Sequence, residues 1–238
     1  MTRCHLIPAL ALLAIASGHN SQAQSVATDI PQGEVRLQLQ SGSGKVHSKR
    51  VAVVWLQPLG TTAAAKFAPH GPYVLLQKNR MFYPHAQVIP VGAVVQFPNA
   101  DPFFHNVFSL YDGKRFDLGL YEAGSSKAVT FSREGISYIF CNIHPEMSAV
   151  IVSLSTSLYA MTESDGPLII DHVPYGDYRL NVWFEGVSPS TLRTLARNVH
   201  VEKSTNLGRI EVPISMPDQH DHLNKFGAPY GKKSESPY

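Results

Sequence analysis

Cys141-Asn142-Ile143-His144-Pro145-Glu146-Met147 is the segment from which the rest of the chain is read. The apolar run Ile136-Ser137-Tyr138-Ile139-Phe140 leads into it and Ser148-Ala149-Val150-Ile151-Val152 leads out, so it reads as a short loop joining two strands. A thiol, an imidazole and a thioether stand on that loop, with two residues between each and the next. Thiolate and thioether are soft donors and imidazole is intermediate, a set that suits copper far better than magnesium or calcium. Upstream, Phe103-Phe104-His105-Asn106-Val107-Phe108 offers a second imidazole. Two imidazoles, one thiolate and a weak axial thioether together make the donor set of a mononuclear electron-transfer copper site.

The chain has 238 residues, room for one large or two small domains with a real core. A formal charge of +2, with no Lys/Arg cluster to track phosphates, argues against a nucleic-acid partner. The first residues read as an export signal: Arg3 is basic, Leu6 to Ala16 is apolar, and Ser21-Gln22-Ala23 offers a cleavage site before Gln24. The alternative, an uncleaved N-terminal anchor, is disfavoured because the apolar run is too short to span a bilayer. Residues 1–23 are therefore expected to be removed together with Cys4, giving a periplasmic or secreted protein with no transmembrane segment in its mature form. Cys141 is then the only cysteine left. An odd cysteine in an exported chain calls for an intermolecular partner, a reactive role or a metal, and only metal binding also accounts for His144 and Met147.

The pattern along the chain is nearly all strand. Glu34 to Gln40 alternates at period two, and Val51 to Leu56 is a buried strand stopped by Pro58. Seven short strands are expected next: Tyr73–Gln77, Ala86–Ile89, Ala93–Phe97, Asn106–Leu110, Lys127–Phe131, Ile136–Cys141 and Ala149–Leu154. Their spacing and turn residues predict a β-sandwich. A second β-meander is expected from Tyr159 to Glu185, then a short helix over Thr191–Arg197 and closing strands at Val199–Val201 and Arg209–Ile214. Ala63 to Lys66 has room for one helical turn. From Met216 the composition turns rich in Pro, Gly, Lys and Ser, which predicts a disordered tail over 215–238.

Two motifs carry a family resemblance. The segment Cys141 to Met147, with its Cys, His and Met at those spacings, resembles the short ligand loop of amicyanin-type cupredoxins. His105-Asn106 resembles the pair that supplies their upstream ligand. The resemblance runs from about Tyr73 to Leu154, within a domain expected over 63–154, and implies a Greek-key β-sandwich of the plastocyanin kind, with His105, Cys141, His144 and Met147 holding copper. It implies further that Asn106 ties the two ligand loops together by hydrogen bonding beside Cys141, and that a redox partner docks at the His144 edge, framed by Ile143 and Pro145. Phe103 is placed nearby. A binuclear oxidase-type centre needs two loop cysteines, which the single Cys141 rules out.

The flanks resemble something else. Asp165-Gly166, Val173-Pro174-Tyr175-Gly176-Asp177-Tyr178 and Val182-Trp183 are similar to carboxypeptidase regulatory-like modules, small immunoglobulin-like sandwiches. Residues 30–62 would supply that module's first strands and 155–214 the remainder, which makes the cupredoxin-like part an insertion. The fold class expected is thus all-β, two sandwiches, in the arrangement of proteins labelled methylamine utilisation proteins.

The function expected is an exported mononuclear type 1 copper protein cycling Cu(II)/Cu(I). Rival readings are a copper-binding or delivery protein, a structural module with incidental metal, and a copper enzyme. No nucleotide loop or catalytic triad appears, so an enzyme is not expected. His85, in Tyr83-Pro84-His85, reads as a local hydrogen-bonding residue, with metal binding the alternative. His70, His172 and His200 read as surface or loop residues, Glu146 as a solvated side chain or rim charge, and His220 and His222 as part of a polar tail that could catch copper weakly.

Overall fold

A computed structural model describes residues 30–42, 50–60, 67–110, 113–163, 166–213 and 224–229. The export signal with Cys4, the helical turn at Ala63–Lys66, and His220 and His222 lie outside the described residues. In chain order the strands are β1 (Gln32–Ser41), β2 (Ala52–Pro58), β3 (Tyr73–Val74), β4 (Leu76–Lys78), β5 (Met81–Tyr83), β6 (Ala86–Pro90), β7 (Val94–Pro98), β8 (His105–Ser109) and β9 (Phe116–Tyr121). They continue as β10 (Ser126–Thr130), β11 (Gly135–Phe140), β12 (Ser148–Leu154), β13 (Tyr159–Thr162), β14 (Pro167–Pro174) and β15 (Gly176–Phe184). One helix, α1 (Pro189–Leu195), precedes β16 (Arg197–Val201) and β17 (Thr205–Val212). The class is all-β.

Among the described residues the strands form five sheets, four of them stacked in layers and the fifth the two-stranded β4-β5 hairpin. The five-stranded sheet β6-β12-β11-β8-β9 holds the Cys141 loop at one end, and β10-β7-β3 covers one of its faces. Leu75, Ile89, Val95, Phe97, Phe131, Ile139 and Ile151 fill the space between them, together with Cys141 and Met147. The other face packs on the four-stranded sheet β13-β2-β15-β16, which is backed in turn by β14-β1-β17.

β12 shows why the layers belong together. Every residue from Ala149 to Leu154 is buried. Ala149 and Ile151 enter the core beside Cys141, while Val150, Val152 and Leu154 enter the second core with Leu56, Leu180 and Val182. Side chains alternate across a strand, so burial on both faces requires a neighbour on both sides. Trp183, fully buried, donates its indole N–H to the Tyr138 hydroxyl at 3.1 Å across the same seam.

β1 pairs with β14 and β17, and β2 pairs with β13 and β15. These two sheets therefore draw their strands from before and after the segment that carries β3 to β12. A pair of N-terminal strands alone would be marginal, and pairing with strands more than a hundred residues later resolves that.

Departures from the sequence expectations have local causes. The strand expected over Tyr73–Gln77 is split at Leu75, whose N–H bonds Gln96 while β4 turns to pair with β5. Neither β5 nor β9 is evident in the sequence. β9 carries Asp117, and Gly119 at φ 65°, and lies at a half-exposed sheet edge, so its apolar pattern is weak. α1 starts two residues before the expected Thr191, because Ser188 caps it through the Thr191 N–H and Pro189 fits its first turn. Within the tail expected to be disordered, residues 224–229 form a turn closed by Asn224 and Ala228.

Candidate metal centre

Three donors converge at the end of the five-stranded sheet. Cys141 Sγ lies 3.7 Å from His105 Nδ1 and 3.6 Å from His144 Nδ1, and the two ring nitrogens are 3.2 Å apart. Their side chains form the one cluster of metal-ligating residues found among the described residues. A point equidistant from all three atoms lies roughly 2.0 Å from each, the length of a metal–imidazole bond. The triangle is of the size one transition ion fills.

The local fold explains the convergence. His105 opens β8, a strand buried throughout, and pairs with Tyr121 on β9. Cys141 directly follows β11, and its N–H bonds the Met147 carbonyl while the Met147 N–H bonds the His144 carbonyl. The loop is thus closed on itself, and His144 is folded back over Cys141. Met147 is fully buried in the same core as Cys141.

Electrostatics leave the donors ready for a cation. Burial pushes the Cys141 thiol upward against the opposing pull of backbone N–H groups at Asn106, Ile143 and His144. Burial, with His105 and Arg80 nearby, drops His144 to about 4, so its ring is neutral near pH 7. A neutral imidazole is the form metal binding calls for, whereas the thiol must give up its proton to the incoming ion.

Around the donors stand residues that the sequence placed well and others that it did not. Phe103 meets both rings, with centroids 5.2 Å from His105 and 5.6 Å from His144. Phe108 is core, whereas Phe104 is 56% exposed and Ile143 44% exposed beside His144. The Asn106 side chain does not bridge the ligand loops. Its amide donates to Asp117 Oδ1 at 2.7 Å and its Oδ1 is buried without a partner, while its backbone N–H faces Cys141. Asp117 in turn accepts from Lys225 at 2.9 Å, and the Lys225 N–H bonds Asn142, so the 224–229 turn rests against the Cys141 loop. His85 is not in the cluster: its Nε2 meets Glu185 at 2.7 Å and its Nδ1 the Ser148 carbonyl at 3.2 Å. His70, His172 and His200 bond Tyr73, Gln32 and Asp177 respectively, away from the donors.

Asp101 is the residue that the sequence reading missed. Its Oδ2 lies 2.8 Å from His105 Nε2, and both side chains are buried. The only trace in the sequence is a carboxylate four positions before the histidine in Asn99-Ala100-Asp101-Pro102, a pattern common in plain turns.

No protein-family model and no curated protein matches the chain. Among solved structures it is similar to a copper-containing nitrite reductase from Thermus scotoductus SA-01, at 27% identity over 41% of this chain and 25% of that one, TM-score 0.34. It is also similar to a purple cupredoxin from Nitrosopumilus maritimus, at 22% identity over 34% of this chain and 99% of that one, TM-score 0.32. Amicyanin from Paracoccus versutus matches at 21% identity over 42% of this chain and 97% of its own, TM-score 0.33. The chain spans about a quarter of the nitrite reductase's length. Among the described residues, no helix is long and apolar enough to cross a membrane.

Proposed function

We propose that this chain is an exported electron carrier that would hold one copper ion through His105, Cys141 and His144, with the Met147 thioether as a fourth donor. The observation that carries the reading is the triangle of one sulfur and two ring nitrogens, brought together from separate loops at metal-binding distances. Copper in such a site supplies one-electron chemistry. Thiolate and thioether favour Cu(I) and the imidazoles keep Cu(II) bound, so both states are served by one donor set.

The chain's own contribution is rigidity and exclusion of water. His105 and Cys141 are fully buried and anchored to β8 and β11, and Met147 is locked in the core. His144 is the least buried of the three donors, and it lies in the loop between exposed Ile143 and half-buried Pro145. We place the docking surface for a redox protein partner there. The second unit, read as a regulatory-like sandwich, acts as the mount that covers the far face of the copper-bearing sheet.

The test is spectroscopic and electrochemical. Signal-free protein given one equivalent of Cu(II) should develop an intense visible thiolate-to-copper band and show reversible one-electron voltammetry, both lost in Cys141→Ser. A spin-resonance spectrum showing a water-occupied coordination position would favour a copper enzyme instead. Absence of the band in the intact protein would overturn the reading.

A further inference from the structure

His105 is held from behind by a built anionic clamp. Asp101 Oδ2 accepts from His105 Nε2 at 2.8 Å and from the Arg80 N–H at 2.9 Å, while Oδ1 accepts from the Asn79 N–H at 2.6 Å. Asn79 and Arg80 are consecutive residues of positive φ, 55° and 58°, at the tip of the β4–β5 hairpin. A two-residue turn with both φ positive is the mirror-image type that hairpins prefer, and it normally recruits glycine or asparagine. Arg80 bears a long side chain in that conformation, which residues other than glycine and asparagine adopt only at a cost. The turn places both of its N–H groups on one carboxylate. Asn99 fixes the same loop, its Oδ1 accepting from the Asp101 N–H at 3.0 Å and its amide donating to the Phe103 carbonyl at 2.8 Å.

We infer that Asp101 is a positioning and tuning residue whose fixed negative charge, delivered through His105, stabilises Cu(II) over Cu(I) at this site. The inference rests on the copper reading above. With Nε2–H donated to Asp101, the Nδ1 of His105 is left to face Cys141 and His144, so the hydrogen bond selects the ring's tautomer and orientation. Charge then sets the sign. Cu(II) with one thiolate leaves one net positive charge, which Asp101 neutralises. Cu(I) with the same thiolate leaves none, so the site with its carboxylate carries a net negative charge that only N–H dipoles offset, the costlier condition in a poorly solvated site. Asp101 is only 4% exposed, so water screens little of this.

The experiment compares Asp101→Asn with the intact protein, both copper-loaded, by optical spectrum and voltammetry. Asp101→Asn keeps the shape and loses the charge. Its expected result is a retained visible band with Cu(II) affinity reduced relative to Cu(I) by about 10–100-fold, equivalent to a rise in potential of roughly 59–118 mV. Asp101→Glu, which restores a carboxylate, should bring the potential part of the way back. An unchanged or lowered potential in Asp101→Asn with the band intact overturns the inference while leaving the copper reading standing. If the intact protein shows no band, it is the copper reading that fails. A second measurement needs no variant: in the Cu(I) form, nitrogen NMR should find a slowly exchanging proton on His105 Nε2. A rapidly exchanging or absent proton contradicts the clamp.

Discussion

Cys141 and His144 differ in how they await a metal, and that difference is measurable. The buried thiol is held protonated at neutral pH, whereas the His144 ring, at about 4, is already neutral. Copper uptake near pH 7 should therefore release about one proton per ion, from the cysteine alone. Calorimetry in buffers of different ionisation enthalpy reads that number, and release of two protons would show one of the two histidines to be charged beforehand. Gly33 offers a separate test far from the site. A Cβ there would stand 2.3 Å from the Lys203 carbonyl oxygen, which is backbone and cannot swing away. Gly33→Ala should cost about 1–3 kcal/mol in chemical denaturation with the copper spectrum unaltered. At this level the sequence points to Cys141, His144 and Met147 because they share one loop and to His105 because Asn106 follows it, and the fold brings His105, Cys141 and His144 together. Asp101 was not legible, since its meaning depends on where the Asn79–Arg80 turn aims its N–H groups, and that is a product of tertiary structure.

β12 and α1 show what the sequence states about whole segments and what it withholds. The uninterrupted apolar run Ala149 to Val152 reads as a strand, but its burial on both faces appears only once a second sheet lies against it. Ile151→Ala should open a cavity in the core beside Cys141 and Met147, costing about 2–5 kcal/mol by denaturant unfolding. α1 depends on its cap: Ser188 Oγ accepts the Thr191 N–H at 3.2 Å, so Ser188→Ala should lose about 1 kcal/mol. A smaller loss than a few tenths would mean that packing of Leu192 against β15 holds the helix without it. β5 and β9 escaped the sequence reading for a physical reason. β5 has three residues and β9 is an edge strand with Asp117 and Gly119 in its middle, so neither shows a period that rises above a loop's.

The molecule as a whole is joined at a seam that includes a titratable pair. Glu185 Oε1 meets His85 Nε2 at 2.7 Å, and Glu185 Oε2 accepts the Val51 N–H at 3.0 Å, so one carboxylate links β15, β2 and the start of β6. The bond from Glu185 raises His85 above its usual 6.5, despite burial. Burial works against the charge on Glu185, but His85 and the Val51 N–H outweigh it and hold the acid below its usual 4.5. The histidine's contribution is complete below pH 6.5 and fades as pH climbs through its raised value. The carboxylate's is complete above pH 4.5 and fades as pH falls through its lowered value. The pair is thus strongest between those two values. Because His85 is partly solvated, a His85→Gln/Glu185→Gln double-mutant cycle should give only about 1 kcal/mol of coupling near pH 5.5, vanishing near pH 9. Coupling that persists at pH 9 would mean the bond is not ionic.

The all-β class was readable from strand spacing, and the pairing of β1 and β2 with strands beyond residue 158 gives the seam its long-range character. The central claim is that one copper ion sits among His105, Cys141 and His144. X-ray absorption at the copper edge of the stoichiometrically loaded protein measures this most directly. The expected inner shell holds one sulfur and two nitrogens, with the sulfur gone in Cys141→Ser. A shell of nitrogen and oxygen alone in the intact protein would contradict it.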